Sequence, residues 1–274
     1  MADALHAATG VRLTVEGPCR SGQVGAAYVH WPSGRRAVLK WRPNATLAEL
    51  RRGPLAVQEA MAARGYPAPP LELAAQVGAD VVSVHGLLPG AMVDRLDAAS
   101  LEQALALNAA QAGALADRPD ITGVKLFLRQ DGPGFCLHEP LRRFSRRTAA
   151  LERWVAAVGA EHPGPLPGAD AVHLDFHSGN LLASGGAITG VVDWDGAGRG
   201  DRRLDLVTLR FGLHPDHAGA DVVARLDAVL DALPARVLRP AWAHMSLRMT
   251  DWAIRHFPPH EVDTWLDLAE QRAA

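Results

Sequence analysis

One short segment carries most of the side chains that could do chemistry. His173-Leu174-Asp175-Phe176-His177-Ser178-Gly179-Asn180 is followed, thirteen residues after its end, by Asp193. Asp175 and Asn180 are five residues apart, a spacing that suits a loop better than one face of a helix. A carboxylate that acts as a base, an amide and a second carboxylate are the groups needed to hold a metal–nucleotide beside a hydroxyl, and oxygen ligands suit a hard cation such as Mg²⁺.

Two short predicted strands bring the second carboxylate back to the loop. Residues 181–183 and 187–192 have strand character, and Ser184-Gly185-Gly186 between them is typical of a hairpin turn. Because an antiparallel hairpin returns the chain to its starting point, we expect Asp193 to lie close to Asn180.

The segment resembles the catalytic loop of protein-kinase-like enzymes, H-x-D-x-x-x-x-N, which a metal-binding aspartate follows. The residues beyond it narrow the resemblance. Val191-Val192-Asp193-Trp194-Asp195 and Gly200-Asp201-Arg202-Arg203-Leu204-Asp205-Leu206 are similar to the I-D-W-(D/E)…G-D-x-x-x-D-L-A signature of the aminoglycoside phosphotransferase family. The combined pattern fixes seven or more positions over about 35 residues, which makes it a specific signature.

The resemblance implies a role for each polar residue of the loop. Asp175 is the predicted catalytic base, and Asn180 and Asp193 are the predicted metal ligands. His173 is expected to tie the loop to its surroundings, and Asp205 to brace the loop from below.

Three further positions of the signature are interpreted as follows. Asp201 is expected to cap the following helix. Asp195 is interpreted as a solvated turn carboxylate, and a second metal contact is the alternative. Leu174 stands where the family usually has glycine, which argues against a close match to any well-known member.

Lysine is scarce in this chain. Of its 28 basic residues only Lys40 and Lys125 are lysines, so each is a candidate for chemistry that arginine cannot do. Lys40 lies on the third predicted strand, where the resemblance implies contact with the α- and β-phosphates and a pair with a glutamate on the next helix, here Glu59. A strand-end lysine that reaches solvent is the alternative.

Two further segments are predicted to contact the nucleotide. Gly17, Gly22 and Gly25 lie between the first two strands, where backbone N–H groups and the Ser21 hydroxyl could cradle phosphate oxygens. An ordinary glycine-containing hairpin is the alternative, because the spacing is not G-x-G-x-x-G.

The interlobe hinge is expected at residues 84–90. By resemblance, the backbone around His85 and Leu87 would hold the purine, and Leu88-Pro89-Gly90 matches a frequent Leu-Pro-Gly of the family. An ordinary strand-ending turn fits this segment equally well.

The order of predicted elements indicates an α+β protein with a bilobal protein-kinase-like fold. Strands are predicted over residues 11–16, 24–30, 36–41, 71–77 and 80–85, with helical character at 47–64. After residue 90 the pattern is mainly helical, over 98–116, 140–159, 205–211, 218–233, 235–256 and 259–273. We therefore expect a small, β-rich, nucleotide-binding N-lobe of residues 1–87 and a larger helical C-lobe of residues 88–274.

Composition limits the classes of partner. With 274 residues and a net charge of −2, the chain gives no electrostatic reason to expect binding to nucleic acid or to a membrane surface. Its two cysteines cannot form a disulfide framework, and no signal peptide or membrane-spanning run is seen. A cytoplasmic protein, monomeric or dimeric, is expected.

The predicted function is an ATP- or GTP-dependent O-phosphotransferase that requires Mg²⁺. Its acceptor would be a small cationic hydroxyl compound, such as an aminoglycoside or a basic peptide antibiotic, and the activity would give resistance. The support is an acidic and aromatic tail, which contains Asp216, Asp221, Asp227, Asp231, Asp251, Glu261, Asp263, Asp267, Glu270, Trp242, Trp252 and Trp265.

Three alternatives remain open from the sequence. The first is a kinase for a metabolite such as an amino alcohol, an amino acid or a sugar, because the core motifs do not distinguish acceptors. The second is a metal-dependent hydrolase in which His173, Asp175 and His177 are clustered ligands. The third, a catalytically inactive binding module, is disfavoured because the expected catalytic residues are all present.

Overall fold

Five strands in the described residues before residue 87 form one antiparallel sheet. In the computed structural model, which describes residues 2–19, 25–213 and 218–273, the strands are β1 (Thr14–Pro18), β2 (Ala26–His30), β3 (Arg36–Arg42), β4 (Leu71–Val77) and β5 (Asp80–Gly86). Their order across the sheet is β1-β2-β3-β5-β4. β3 is therefore a central strand, and Lys40 lies near its end, opposite Ser83 of β5.

The helices of this region pack on and beside the sheet. Alternate residues of β3, Ala37 and Leu39, are buried together with Leu5 of α1 (Ala2–Thr9), as expected where side chains alternate between the two faces of a strand. The helical region predicted over 47–64 is divided at Gly53-Pro54 into α2 (Leu47–Arg51) and α3 (Pro54–Ala63). α1 was not expected from the sequence.

Among the described residues beyond residue 90, five shorter strands form two small sheets. They are β6 (Ala91–Met92), β7 (Asp170–Val172), β8 (Leu181–Ser184), β9 (Ala187–Val191) and β10 (Gly198–Gly200). β8 and β9 form the predicted hairpin, β6 pairs with the outer edge of β8, and β7 pairs with β10. The chain that leaves the first sheet is thereby joined to the hairpin that precedes Asp193.

The segment between the sheets is closely packed. Gly90 has a φ of 110°, and a Cβ atom there would lie 2.7 Å from the carbonyl oxygen of Ala183 on β8. Only glycine fits such a backbone contact without a shift of the chain. The Thr189 hydroxyl of β9 also donates to the carbonyl oxygen of Pro89, at 2.5 Å.

Seven helices are seen in the described part of the chain after residue 90. They are α4 (Ala98–Ala110), α5 (His138–Phe144), α6 (Arg146–Glu161), α7 (Arg203–Phe211), α8 (Ala220–Asp231), α9 (Ala235–His256) and α10 (Pro259–Glu270). The single helix predicted over 140–159 is divided at Ser145, which is extended and caps α6 by accepting from the Thr148 N–H at 3.1 Å.

A continuous helical core surrounds α9. Trp242 of α9 and Phe211 of α7 are buried with a ring-centroid distance of 4.8 Å, and α9 packs against α5, α6, α7 and α10. The predicted α+β class is confirmed. So is the predicted arrangement of a small antiparallel sheet in the N-terminal part and helices in the C-terminal part. The boundary at residue 87 stays a prediction. Among the described residues, no helix is both long and apolar enough to cross a membrane.

Candidate active site

The loop between β7 and β8 is fixed from below by a buried carboxylate. Asp205 of α7 is fully buried and accepts from the backbone N–H groups of His173 (2.7 Å) and Leu174 (2.8 Å) and from the side-chain amide of Gln111 (3.0 Å). Burial raises the pKa of Asp205 to about 7 against the opposing effect of these three donors. Asp205 thus braces the loop, as the sequence predicted.

His173 fixes the loop from the opposite side. Its buried ring donates from Nε2 to the carbonyl oxygen of Val192 at 2.9 Å and accepts at Nδ1 from the Asp175 N–H at 3.3 Å. The ring also packs edge-on against Trp194, with centroids 4.6 Å apart. Because both nitrogens face partners within the loop and burial lowers the pKa of His173 to about 4, the residue ties the loop together, as expected.

The carboxylate of Asp175 lies at the surface of the loop, with its side chain 30% exposed. Its Oδ2 accepts from the Asn180 amide at 3.1 Å, and its Oδ1 accepts from the Arg248 guanidinium at 2.7 Å. Burial raises its pKa, but the nearby His177 ring, 3.6 Å from Oδ2, and the charge of Arg248 outweigh that effect, so the pKa of Asp175 lies below its usual range. The carboxylate is therefore ionised at neutral pH.

Arg248 was missed by sequence reasoning. It lies on α9, 73 residues from Asp175, and donates from Nη1 to the carbonyl oxygen of Leu174 at 2.6 Å as well as to Asp175. No motif singles it out among the arginines after residue 206, because only the packing of α9 brings it to the loop.

Asn180 and Asp193 are brought together as the predicted hairpin requires. The N–H of Val192 donates to the carbonyl oxygen of Asn180 at 2.9 Å, which joins the beginning of β8 to the end of β9. The Asn180 amide nitrogen donates to Asp175, which leaves its amide oxygen as the acceptor. This oxygen and the half-exposed carboxylate of Asp193 form a donor set that fits a hard divalent cation.

Lys40 reaches across from the first sheet to the carboxylates beyond β9. Its Nζ donates to Asp193 and, at 3.1 Å, to Asp195, which Arg42 also contacts. Burial raises the pKa of Asp195, but the charges of Lys40 and Arg42 outweigh it, so the pKa lies below its ordinary value. Asp195 is an exposed turn carboxylate, as interpreted, but two cations of β3 also pair with it, which the sequence did not indicate.

The expected pair between Lys40 and Glu59 is not formed. Glu59 is exposed on α3, whereas the preceding Gln58 is buried and contacts Nδ1 of His85 at 2.8 Å. Since successive residues of an α-helix are turned by about 100°, a helix that buries Gln58 directs Glu59 to solvent. Asp195 is the partner of Lys40 that the sequence did not indicate.

The two residues predicted to hold the purine differ in exposure, because His85 is buried and Leu87 is exposed. The His85 ring is buried between Gln58 and Ser83, whose hydroxyl lies 2.7 Å from Nε2. Burial, with the charges of Lys40 and Arg42, lowers the pKa of His85 to about 3, so the ring is neutral.

Leu87, the other residue predicted to hold the purine, remains accessible. It is 43% exposed, and no hydrogen bond within the described residues uses its backbone N–H or C=O. Ser21 and Gly22, the predicted phosphate contacts, lie outside the described residues.

The metal-hydrolase interpretation is not supported. His173 is buried with both ring nitrogens engaged, so it cannot join Asp175 and His177 as a ligand without dismantling the loop. Within the residues that the structure describes, no group of three or more His, Cys, Asp or Glu side chains could hold a metal ion.

Most acids of the C-terminal helices are already paired. Arg147 alone contacts three carboxylates of α10 and Arg272 two of α8, and six described acids form ion pairs with arginine, namely Asp227, Asp231, Asp251, Asp263, Asp267 and Glu270. These six acids share four arginines, so the pairing compensates part of the negative charge of the C-terminal helices. The predicted aromatic character is present at the end of α9, where Trp252 packs against Trp265 and Phe257.

A model of the phosphotransferase enzyme family (APH) matches residues 18–239, which is most of the chain. The chain belongs to the phosphotransferase enzyme family. The matched range contains Lys40, the loop from His173 to Asn180, Asp193 and Asp205. The protein is accordingly an enzyme with a kinase-like phosphotransferase fold, as the sequence resemblance indicated. No curated protein is similar enough to the chain to count as a relative.

Solved structures of the same fold include enzymes with different acceptors. A thermostable mutant of aminoglycoside phosphotransferase APH(4)-Ia is 15% identical with a TM-score of 0.57 and covers 100% of this chain and 97% of its own. The amicoumacin kinase hAmiN, in complex with AMP-PNP, Ca²⁺ and Ami, is 14% identical with a TM-score of 0.64 over 95% and 87%. A candidate fructosamine-3-kinase from Thermobifida fusca is 18% identical with a TM-score of 0.60 over 98% and 97%. At these identities the similarity shows the fold alone.

Proposed function

We propose that this phosphotransferase moves the γ-phosphoryl group of ATP or GTP to a hydroxyl group of a small molecule. One observation supports the proposal most strongly. The ionised carboxylate of Asp175 lies on the same braced loop and hairpin as Asn180 and Asp193, whose oxygens could bind a metal ion. Phosphoryl transfer requires positioning and charge stabilisation more than covalent chemistry from the protein, and this arrangement supplies both.

Asp175 is the proposed catalytic base. It orients the acceptor hydroxyl and receives its proton as the bond to phosphorus forms. Each carboxylate oxygen has two lone pairs, so the bonds from Asn180 and Arg248 leave one on each oxygen for the acceptor.

The nucleotide is proposed to lie between the first sheet and the loop. Lys40 would contact its phosphates, the backbone of Leu87 its base, and the turn that contains Ser21 and Gly22 its phosphate oxygens. Asn180 and Asp193 would hold Mg²⁺, which when bound neutralises charge on the β- and γ-phosphates. Neighbouring enzymes of the fold that bind ADP or AMP-PNP support a nucleotide donor.

The first candidate acceptor is a cationic antibiotic, which would make the activity a resistance activity. Support comes from the hygromycin B and amicoumacin complexes of similar structures. The aromatic cluster of Trp252, Phe257 and Trp265 also offers ring faces for a cation or a planar group.

The second candidate acceptor is a less cationic metabolite, such as a sugar or an amino acid derivative. It is favoured by the partial compensation of six C-terminal acids by four arginines and by the guanidinium of Arg248 beside the base. The similarity to a candidate fructosamine-3-kinase points the same way.

Phosphate transfer from radiolabelled ATP or GTP tests the proposal directly. Hygromycin B, other aminoglycosides, basic peptide antibiotics, amino alcohols and sugars would be offered in the presence of Mg²⁺. Asp175→Asn should lower turnover on the preferred acceptor by roughly 10²–10⁴-fold. Asp120→Asn, which alters an exposed aspartate paired with Arg118, is the matched control. Transfer to no acceptor, or undiminished transfer by Asp175→Asn, would refute the mechanism.

A further inference from the structure

The side chain of Arg248 joins two consecutive residues of the catalytic loop. Nη1 donates to the carbonyl oxygen of Leu174 at 2.6 Å, and Nη2 donates to Oδ1 of Asp175 at 2.7 Å. One planar guanidinium therefore holds both the backbone of Leu174 and the carboxylate of Asp175, the proposed base. Lysine could not do this, because its ammonium is a single point of charge rather than a fork.

The backbone that Arg248 holds is a strained one. Leu174 has a φ of 68°, a left-handed conformation that costs a residue with a Cβ atom about 1–2 kcal/mol. Asp205 fixes the N–H of Leu174, and Arg248 fixes its C=O. A residue held on both sides in an unfavourable conformation indicates that the direction of the next side chain, Asp175, matters.

The loop alone does not fix both oxygens of that carboxylate. Asn180 contacts Oδ2 at 3.1 Å, and the more distant His177 lies 3.6 Å from the same oxygen. Oδ1 is held by Arg248 alone among the described residues. Without the contact from Arg248, only the bond from Asn180 to Oδ2 would restrain rotation of the carboxylate about the Cβ–Cγ bond of Asp175.

We propose that Arg248 is a positioning residue for the transfer reaction, which fixes the Asp175 carboxylate in the orientation that meets the acceptor hydroxyl. This inference rests on the proposed function of Asp175 and extends it to α9, a helix without a catalytic motif. The side chain is 23% exposed, so the contact lies at the edge of the site, where an acceptor also approaches.

Arg248→Met, Arg248→Lys and Arg239→Met form the test set. Arg239 is a matched control because it lies on the same helix, pairs with Glu161, and faces the opposite side more than two turns earlier. Turnover would be followed as phosphate release from ATP, with water as the acceptor, and as transfer to the best acceptor of the panel. Thermal unfolding would establish that each variant folds.

Arg248→Met should lower kcat at least about 30-fold, with the KM for ATP changed less than about 3-fold, because orientation and not nucleotide binding is lost. Arg248→Lys should recover little, whereas guanidinium ion in millimolar amounts should restore part of the Arg248→Met activity. In an Asp175→Asn background, Arg248→Met should cause no further loss. An unchanged kcat, or an equal loss with and without Asp175, would overturn the inference.

Amide hydrogen exchange provides a readout that needs no turnover. Residues 173–176 should exchange faster in Arg248→Met than in the wild type or in Arg239→Met. Unchanged exchange would overturn the role of Arg248 even in an active enzyme. If the wild type transfers no phosphate, the proposed function fails while the exchange experiment still decides whether Arg248 holds the loop.

Discussion

Asp193 and Leu174 are two residues of the site that adopt a left-handed backbone without being glycine, with φ values of 66° and 68°. Aspartate tolerates this conformation better than leucine does. The backbone of Leu174 is held through its N–H and its C=O, and Val192 beside Asp193 is hydrogen-bonded to Asn180 and His173. The strain is therefore stored where side chains must point in set directions. At the residue scale, the site depends on the way its backbone is held as much as on the identity of its acids.

Lys40 and Glu59 are expected to differ in their importance. Lys40→Met should lower kcat/KM for ATP by 100-fold or more, because the side chain contacts Asp193 and Asp195 and faces the proposed phosphate site. Glu59→Gln should change it less than about 2-fold, because Glu59 is exposed and does not contact Lys40. Steady-state kinetics with varied ATP would check this, and a large effect of Glu59→Gln would show that the pair forms during turnover.

Buried neutral histidines should make stability sensitive to acid. Burial lowers the pKa of His85 and of His244 to about 3, with nearby arginine adding to the effect. The unfolded chain binds these protons from about pH 6.5 downward and the folded chain does not, so the stability that the two neutral histidines contribute is lost as the pH falls.

Urea unfolding between pH 7.5 and 4.5 measures this loss. Each of the two histidines should contribute about 2 kcal/mol to the decrease. His244→Leu should reduce the slope, whereas the control His260→Leu, at an exposed residue of α10, should leave it unchanged. A slope that His244→Leu does not alter would contradict the assignment.

The sequence predicted residues whose role is encoded within one local motif and not those defined by packing. Asp175, Asn180 and Asp193 lie within nineteen positions, so their spacing alone indicates a shared site. Arg248 meets the loop only after α9 packs, and the choice between Gln58 and Glu59 depends on a rotation of α3 that its short apolar pattern does not define.

At the scale of elements, the loop is positioned by short strands that carry little sequence signal. β7 and β10 have three residues each, and β6 has two, too few for an alternating pattern to be detected. They were not predicted, whereas the long α9 was predicted with its observed bounds. The division at Ser145 was also missed, because a serine inside an amphipathic pattern does not by itself indicate a break.

The pairing of β7 with β10 gives a test at this scale. Gly168 precedes β7, and a Cβ atom there would lie 2.1 Å from the carbonyl oxygen of Gly200 on β10. Gly168→Ala should therefore destabilise the protein by roughly 2 kcal/mol or more, because backbone on both sides must move.

Gly164→Ala is the matched control for this substitution. Gly164 belongs to the same connection, but a Cβ atom there would meet nothing within 4 Å. Chemical unfolding of both variants checks the difference. Equal stabilities would show that β7 and β10 separate without cost.

At the scale of the whole molecule, contacts between β3 and the segment after β9 join the two parts of the fold. Lys40 and Arg42 both donate to Asp195, and Arg42 also donates to Ser83 of β5 at 2.7 Å. Lys40 and Arg42 of the first sheet are therefore paired with carboxylates of the second part. A metal–nucleotide bound there would contact both parts at once.

Binding of a nucleotide should consequently stabilise the protein as a whole. AMP-PNP with Mg²⁺ at about 100 times its Kd should add about 2.7 kcal/mol to the free energy of unfolding, a rise of roughly 5 °C or more in Tm. Asp193→Asn should lose most of the shift, whereas Asp231→Asn, at an exposed acid of α8, should keep it. Calorimetry would measure it, and a full shift in Asp193→Asn would exclude Asp193 from the binding site.

The small sheet of β6, β8 and β9 has a consequence for how the enzyme can evolve. The segment proposed to recognise the purine ends at Gly90, which lies against Ala183, and its next residues pair with the hairpin that carries Asp193. A substitution that reshapes this segment to select another base therefore also displaces the hairpin. We expect changes in nucleotide preference to lower turnover at first, so that they spread through a population only together with compensating substitutions in β8 or β9.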